Sequence, residues 1–171
     1  GLGDVYKRQQ YNHPDIAANM WPDIGYNFVN NSNNVTQHNH GTHVAGTVGV
    51  VTNNSIGVAG IAGGSGFGDG IRLISCQVFT ATSSGGFAPA MIFGADNGAV
   101  ISQNSWGYTT EGYYDQAVMD AIDYFNANGG GDIMDGGITI FSAGNNNTTG
   151  AWYPKCAPSC FSVAGTNNQD I

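Results

Sequence analysis

Short apolar runs bounded by glycine or asparagine alternate with longer helical segments along this chain. Four runs, at 71–79, 98–103, 137–141 and 161–165, are apolar enough to predict buried strands. Three segments predict helices, at 41–51, 89–96 and 113–128. The last of these has an apolar stripe at helical spacing, formed by Val118, Ala121, Ile122 and Phe125, with aspartates opposite.

The alternation of strands and helices predicts the fold class. Parallel strands need a crossover of helical length between them, and right-handed crossovers place helices on both faces of the sheet. We therefore expect an α/β fold, doubly wound, with a mainly parallel sheet. The stretch 27–39 predicts a polar loop.

Composition narrows the possible partners and the location of the protein. The 171 residues carry only 9% charged side chains, 27 glycines and a net charge of −8. So few basic residues cannot neutralise phosphates, which excludes nucleic acid as a partner. No run reaches the ~18 apolar residues of a membrane helix. We expect an extracellular, secreted monomer without membrane contact, whose signal peptide lies outside the given chain.

The two ends of the chain differ from the rest. Residues 1–10 hold two of the four basic residues, share no hydrophobic period with the remainder of the chain, and include GLGDVYKRQ, which resembles translated adapter sequence. We therefore set residues 1–10 apart as a non-native segment. The strand predicted at 161–165 lies close to the last residue, so 11–171 is predicted to be the central part of one truncated domain.

Chemically unusual residues follow two of the predicted strands. In open parallel sheets, ligands bind beyond the carboxyl ends of the strands. Ser105, Trp106 and Gly107 follow the run at 98–103, and Asn145 follows the run at 137–141. A third segment, 38–47, has three histidines in six residues at a predicted helix start.

Together these motifs resemble the subtilisin-like serine peptidases. The run HGTHVAGT at 40–47 is followed by NNSIGVAG at 53–60, NSWG at 104–107 and SAGN at 142–145, in the family's order. The resemblance implies a subtilisin-like fold and peptide hydrolysis through an acyl-enzyme and a Ser-His-Asp triad. It makes His40 the general base, Asn145 the oxyanion donor, and His43 a supporting helix residue. The implied substrate-binding residues are Ser105, Trp106, Gly107, Gly85 and Phe87.

The residue chemistry agrees with these roles. A serine hydroxyl needs an imidazole within hydrogen-bond reach to take its proton, and a carboxylate to orient that ring. A carboxamide at a strand end suits the negative charge that develops on a peptide carbonyl oxygen. No cofactor is needed for this chemistry. Taken without the family, Asn145 would be interpreted as a turn residue and Trp106 as core.

Two family motifs are missing from the chain. The aspartate motif Asp-Thr/Ser-Gly belongs just before His13, where Asp4 has neither the spacing nor the glycine. No serine after Asn145 lies in the Gly-Thr-Ser motif of the nucleophile. The 171 residues alone are therefore predicted to be inactive.

The resemblance also implies a structural calcium ion. The loop at 52–58 offers main-chain and amide oxygens, which hard cations prefer. The implied ligands are the carbonyls of Thr52, Ile56 and Val58, with the side chains of Asn54 and Asp15.

Two other interpretations remain open, together with the state of the cysteines. His38, His40 and His43 could hold zinc in a hydrolase, although nothing nearby orients the rings and SAGN would then be unexplained. A degenerate, inactive family member could act as a peptide-binding module. Cys156 and Cys160 suit either a local disulfide or a reduced pair.

Overall fold

A six-stranded parallel sheet forms the centre of the computed structural model, which describes residues 9–145 and 147–169 together with the backbone of residues 2–4. The strands run in the spatial order β2-β3-β1-β4-β5-β6, and every pairing between neighbours is parallel. Their bounds are β1 Leu2–Asp4, β2 Met20–Asn27, β3 Leu73–Gln77, β4 Ile101–Asn104, β5 Ile138–Ser142 and β6 Phe161–Val163.

Three α-helices connect the strands close to the predicted positions. They are α1 Asn39–Gly49, α2 Phe87–Asp96 and α3 Gln116–Asn128, and a single 3-10 turn at Ala17–Asn19 precedes β2. Helices α1 and α2 begin two residues before the predicted starts, and α3 begins three residues after its predicted start. Side-chain caps set two of these starts, because His38 accepts a hydrogen bond at the first turn of α1 and Asp115 does so at α3.

The two faces of the sheet are covered by different helices. On one face Leu73 packs with Ile16, Ala45 and Val50, which brings in α1. On the other face the next residue, Ile74, belongs to the larger core cluster. That cluster contains Met91 and Ala95 of α2 and Val118, Ile122 and Phe125 of α3. Neighbouring residues of a strand point to opposite faces, so the doubly wound α/β architecture is confirmed.

Strand β2 was not predicted, because its sequence lacks the usual strand pattern. It contains Pro22, which donates no hydrogen bond and is tolerated here because β2 is an edge strand. Its pairing with β3 is irregular between Met20 and Gly25. A Cβ at Gly25 would overlap the backbone carbonyl of Ser75, so only glycine allows this approach.

Strand β1 lies inside the segment that the sequence pattern sets apart. The backbone of Leu2–Asp4 pairs with both β3 and β4 and therefore takes part in the sheet. The segment that was set apart thus contributes the backbone of these three residues to the sheet. The origin of the segment and the boundary at residue 11 stay predictions. Among the described residues, no helix combines the length and apolarity needed to cross a bilayer.

Candidate active site

Three strand ends and one helix start contribute residues to neighbouring cavities. Strand β3 leads to Phe79 and Thr80, β4 leads to residues 105–107, and β5 leads to Gly144 and Asn145. Carboxyl ends of parallel strands share one edge of a sheet, so the topology gathers these segments on the same side. The start of α1 reaches the same region, since His40 lines a cavity with Phe79 and Thr80.

His40 is held at the start of α1 by short-range hydrogen bonds. The Nδ1 atom of His38 accepts from the backbone N–H of His40 at 3.1 Å, which makes His38 the helix cap. The segment before the helix is anchored to β3, because the buried Gln77 accepts from the backbone N–H of Thr36 at 2.8 Å through Oε1. The helix start therefore has a defined position relative to the strand ends.

The predicted base and the predicted substrate segment line one cavity. This cavity, of about 300 Å³, is lined by His38, His40, Phe79, Thr80 and residues 105–107. His40 itself is exposed. The structure thus brings the imidazole and the 105–107 segment together, while the catalytic role of His40 stays a prediction.

A second cavity joins the same segment to Asn145. It has a volume of about 250 Å³ and is lined by residues 105–109, Ser142, Gly144, Asn145 and Lys155. Gly144 has a φ of 89°, a conformation that favours glycine and that turns the chain directly before Asn145. The 105–107 segment therefore lies between the His40 cavity and the Asn145 cavity.

The 105–107 segment is fixed by an amide that sequence reasoning missed. Asn104 is fully buried and donates from Nδ2 to the carbonyls of Ser102 and Ile140, at 3.0 and 3.1 Å. Its Oδ1 accepts from the indole N–H of Trp106 at 3.1 Å. One side chain thus connects the ends of β4 and β5. Its position directly after the apolar strand predicted at 98–103 could have identified it from the sequence.

Trp106 is a core residue that also borders the two cavities, while its role in substrate binding stays a prediction. Its side chain is 7% exposed and packs on Phe141 and Phe87, with ring centroids 5.4 and 4.3 Å apart, so the ring belongs to the core. The residue nevertheless lines both cavities. Phe87, another of the implied substrate-binding residues, thereby touches the 105–107 segment directly. Gly85 donates its N–H to Val78 O and has open space where a side chain would be.

Tyr108 extends the wall of the Asn145 cavity. Its hydroxyl donates to Asp115 at 3.3 Å, and Asp115 also caps α3. Burial, followed by the Asp115 carboxylate, raises the pKa of Tyr108. The phenol therefore stays a neutral hydrogen-bond donor throughout the ordinary pH range.

The zinc interpretation finds no ligand group within the part of the chain that the structure describes. His43 is exposed one turn beyond His40 and lines a different cavity, with His13 and Thr47. Nδ1 of His38 already accepts the hydrogen bond from His40. No three histidine, cysteine or acidic side chains among the described residues are grouped to hold a metal ion.

Two of the five predicted calcium ligands are neighbours. Asp15 is 1% exposed, and its Oδ1 accepts from Nδ2 of Asn54 at 2.7 Å. Its Oδ2 accepts from the N–H of Val58 at 3.3 Å, and Oδ1 of Asn54 accepts from the N–H of Ile56. The oxygen chemistry suits calcium, but the loop presents donors to the carboxylate, so a cation would have to replace the Asn54 contact.

All three cysteines are free thiols. Cys76 is buried in β3, Cys156 is exposed and Cys160 is partly buried. Burial, with a smaller contribution from Asp123, raises the pKa of Cys160 to about 12. Cys160 therefore stays protonated at neutral pH and is a poor nucleophile.

Lys155 is the other residue that sequence reasoning missed. It lines the Asn145 cavity and also a neighbouring cavity of about 450 Å³. The available signal was scarcity, because Arg72 and Lys155 are the only lysine or arginine residues after residue 10.

The chain belongs to the subtilase family, whose sequence model matches residues 8–171. It is 31% identical over 166 residues to thermitase of Thermoactinomyces vulgaris, covering 94% of this chain and 53% of that protein. It is 29% identical over 168 residues to a thermophilic serine proteinase of Bacillus sp. (strain AK1), covering 94% of this chain and 36% of that protein. The chain thus spans about half, or less, of the length of these relatives.

Solved structures agree on the fold. The prenylagaramide maturation protease PagA superposes with a TM-score of 0.70 at 21% identity, covering 98% of this chain and 54% of that chain. A lanthipeptide protease gives a TM-score of 0.70 at 18% identity, covering 97% and 48%. At these identities the likeness establishes the architecture alone.

Proposed function

We propose that this chain is the central part of a serine endopeptidase that cleaves polypeptides through an acyl-enzyme. His40 takes the proton from the serine hydroxyl and then gives it to the leaving amine. The Asn145 amide donates to the carbonyl oxygen as negative charge develops on it. The mechanism also requires a serine nucleophile and an aspartate that orients the His40 ring.

The observation that carries this proposal is the position of residues 105–107. This one extended segment lines both the cavity with His40 and the cavity with Asn145. A peptide bound along residues 105–107 would lie next to His40 at one stretch of its backbone and next to Asn145 at the neighbouring stretch. Membership of the subtilase family supports the same roles.

The proposal predicts a difference between the given chain and the full-length product of its gene. The purified 171-residue chain should hydrolyse casein no faster than buffer, because it has no activated nucleophile. The full-length product should degrade casein and be inactivated by a serine-directed fluorophosphonate. If the short chain itself shows turnover that fluorophosphonate abolishes and that survives repurification, the assignment of an external serine is wrong.

We also propose that the protein is extracellular.

A second proposal is that calcium stabilises the protein at the 52–58 loop. The buried Asp15 carboxylate beside Asn54 supports calcium binding at this loop. Asn53 and Ser55 both have positive φ, so the loop turns tightly and exposes main-chain groups.

Calcium should raise the melting temperature of the chain. Saturating CaCl2 should increase Tm by about 5 °C over EDTA, with no comparable effect of MgCl2, because binding to the folded state alone adds stability. Asn54→Asp should lower Tm in EDTA, since two carboxylates then repel each other, and should enlarge the calcium-dependent increase. Differential scanning fluorimetry measures both effects. An identical Tm with calcium and with EDTA in both proteins would remove calcium from this loop.

A further inference from the structure

A lysine ammonium lies beside the candidate site. Lys155 is partly buried and lines the Asn145 cavity and the neighbouring cavity of about 450 Å³. A methyl group added at Gly144 would overlap its amino group, so the ammonium lies against the residue directly before Asn145. The ammonium is also 5.7 Å from the ring centroid of Trp152. The charge is therefore located at the junction of the two cavities.

The position of this ammonium is set by the backbone around it. Tyr108 donates its N–H to the carbonyl of Tyr153 at 3.2 Å, which ties the turn containing Lys155 to the end of the substrate segment. Cys156 closes the turn by donating to the carbonyl of Trp152 at 3.2 Å. The cation is thus part of the same framework as residues 105–107.

No acidic group neutralises Lys155 within the described residues. Neither cavity is lined by an aspartate or glutamate, and no described carboxylate comes within ion-pair distance. Glu111 reaches the wall of the larger cavity at Gly150 without forming an ion pair with Lys155. In the same wall the indole N–H of Trp152 is buried and has no acceptor among the described residues. The larger cavity thus combines this cation with an unused donor, and of the two only the ammonium, which suits a carboxylate, also lines the Asn145 cavity.

We propose that Lys155 makes this site select an acidic side chain, aspartate or glutamate, at the substrate residue before the cleaved bond. This inference rests on the proposed function. The carbonyl of that residue is the one that Asn145 stabilises, and its side chain branches from the adjacent carbon. In the proposed binding mode it enters the cavity that Asn145, Gly144 and Lys155 line together. An ammonium at that point attracts a carboxylate and repels lysine or arginine.

Matched peptides separate charge from shape. Two N-acetylated, C-amidated peptides that differ only by Glu or Gln at the residue facing the pocket are titrated into the 171-residue chain by calorimetry. The same sequences with a chromogenic leaving group are assayed with the full-length product. We expect about fivefold tighter binding and about fivefold higher kcat/KM for Glu, the size of a partly exposed ion pair. Raising NaCl to about 1 M should reduce this ratio towards one.

Substitutions then assign the effect to one residue. Lys155→Met should bring the Glu-to-Gln ratio to one, whereas Lys155→Arg should retain a preference for Glu. Arg72→Met is the matched control, because it removes another basic residue, which donates to the carbonyl of Ala18 and lines neither cavity. It should leave the ratio unchanged. Circular dichroism establishes that each variant is folded.

The binding measurement and the activity measurement together distinguish a failure of this inference from a failure of the proposed function on which it rests. If the full-length product cleaves no peptide but the binding ratio holds and disappears in Lys155→Met, the peptidase proposal fails while the acid-selective pocket stands. If peptides are cleaved without a preference for Glu over Gln, the pocket inference is wrong and the peptidase proposal stands. A preference for Glu that persists in Lys155→Met also overturns it.

Discussion

Replacing His40 by alanine should lower kcat of the full-length product by about a thousandfold or more, with the fold intact. The imidazole lines the cavity beside residues 105–107, and in the proposed mechanism it is the group that takes the proton of the serine hydroxyl. The side chain is exposed, so its removal leaves no cavity in the core. Steady-state kinetics on one peptide substrate, together with thermal unfolding, measure both parts of this expectation.

His43→Ala is the matched control for this variant. His43 lies on the same helix and is also exposed, but it lines a separate cavity with His13 and Thr47. Its kcat should stay close to that of the unchanged protein. Equal losses of activity in the two variants, accompanied by loss of bound zinc, would contradict the role of His40 and restore the metal interpretation.

Replacing Asn145 by alanine should lower kcat by about a hundredfold or more and leave KM nearly unchanged, the magnitude known for one oxyanion donor in subtilisin. The amide is useful only when charge develops on the carbonyl oxygen, so it contributes to the transition state and little to substrate binding. Asn147→Ala, two residues further on and lining the larger cavity instead, is the comparison. It should alter kcat far less.

The same peptide series tests whether the residues around Asn145 act differently. A change at Ser105 should raise KM as well, because that segment is expected to contact substrate before and during the reaction. Gln103 donates to the Ser105 hydroxyl at 2.7 Å, so Ser105→Ala also frees this neighbour. If Asn145→Ala changed KM alone, Asn145 would be a turn residue and the oxyanion role would be wrong.

Sequence patterns predicted those parts of the fold that depend on local periodicity. The apolar stripe of 113–128 identified α3 because four of its residues face one core. The start of that helix was misplaced because Asp115 caps it instead of lying on its polar face. Strand β2 could not be predicted, since it exists by pairing with β3 despite Pro22 and a bulge at Gly25.

Only part of the candidate site, likewise, could be predicted from the sequence. The motif at 40–47 and the amide at 145 could be found from the sequence, because their chemistry is carried by neighbours in the chain. Lys155 could not, since its meaning depends on lying against Gly144, eleven residues earlier, through a turn that Tyr108 anchors. Periodicity and motif spacing carry no information about such a contact.

The contact between Phe87 and Trp106 also bears on how substrate preference can change in such a protein. Both are implied substrate-binding residues, and Trp106 lies in turn against Phe141 in the core. The distance between Phe87 and Trp106 therefore depends on packing in the interior as much as on contacts at the surface. A smaller residue at 141 would let the Trp106 indole move towards the core and away from Phe87, although residue 141 itself contacts no peptide. A larger residue at 87 would need a second substitution in the core to make room for it. Attempts to change peptide preference by substituting Phe87 alone should therefore yield destabilised variants before they yield new selectivity.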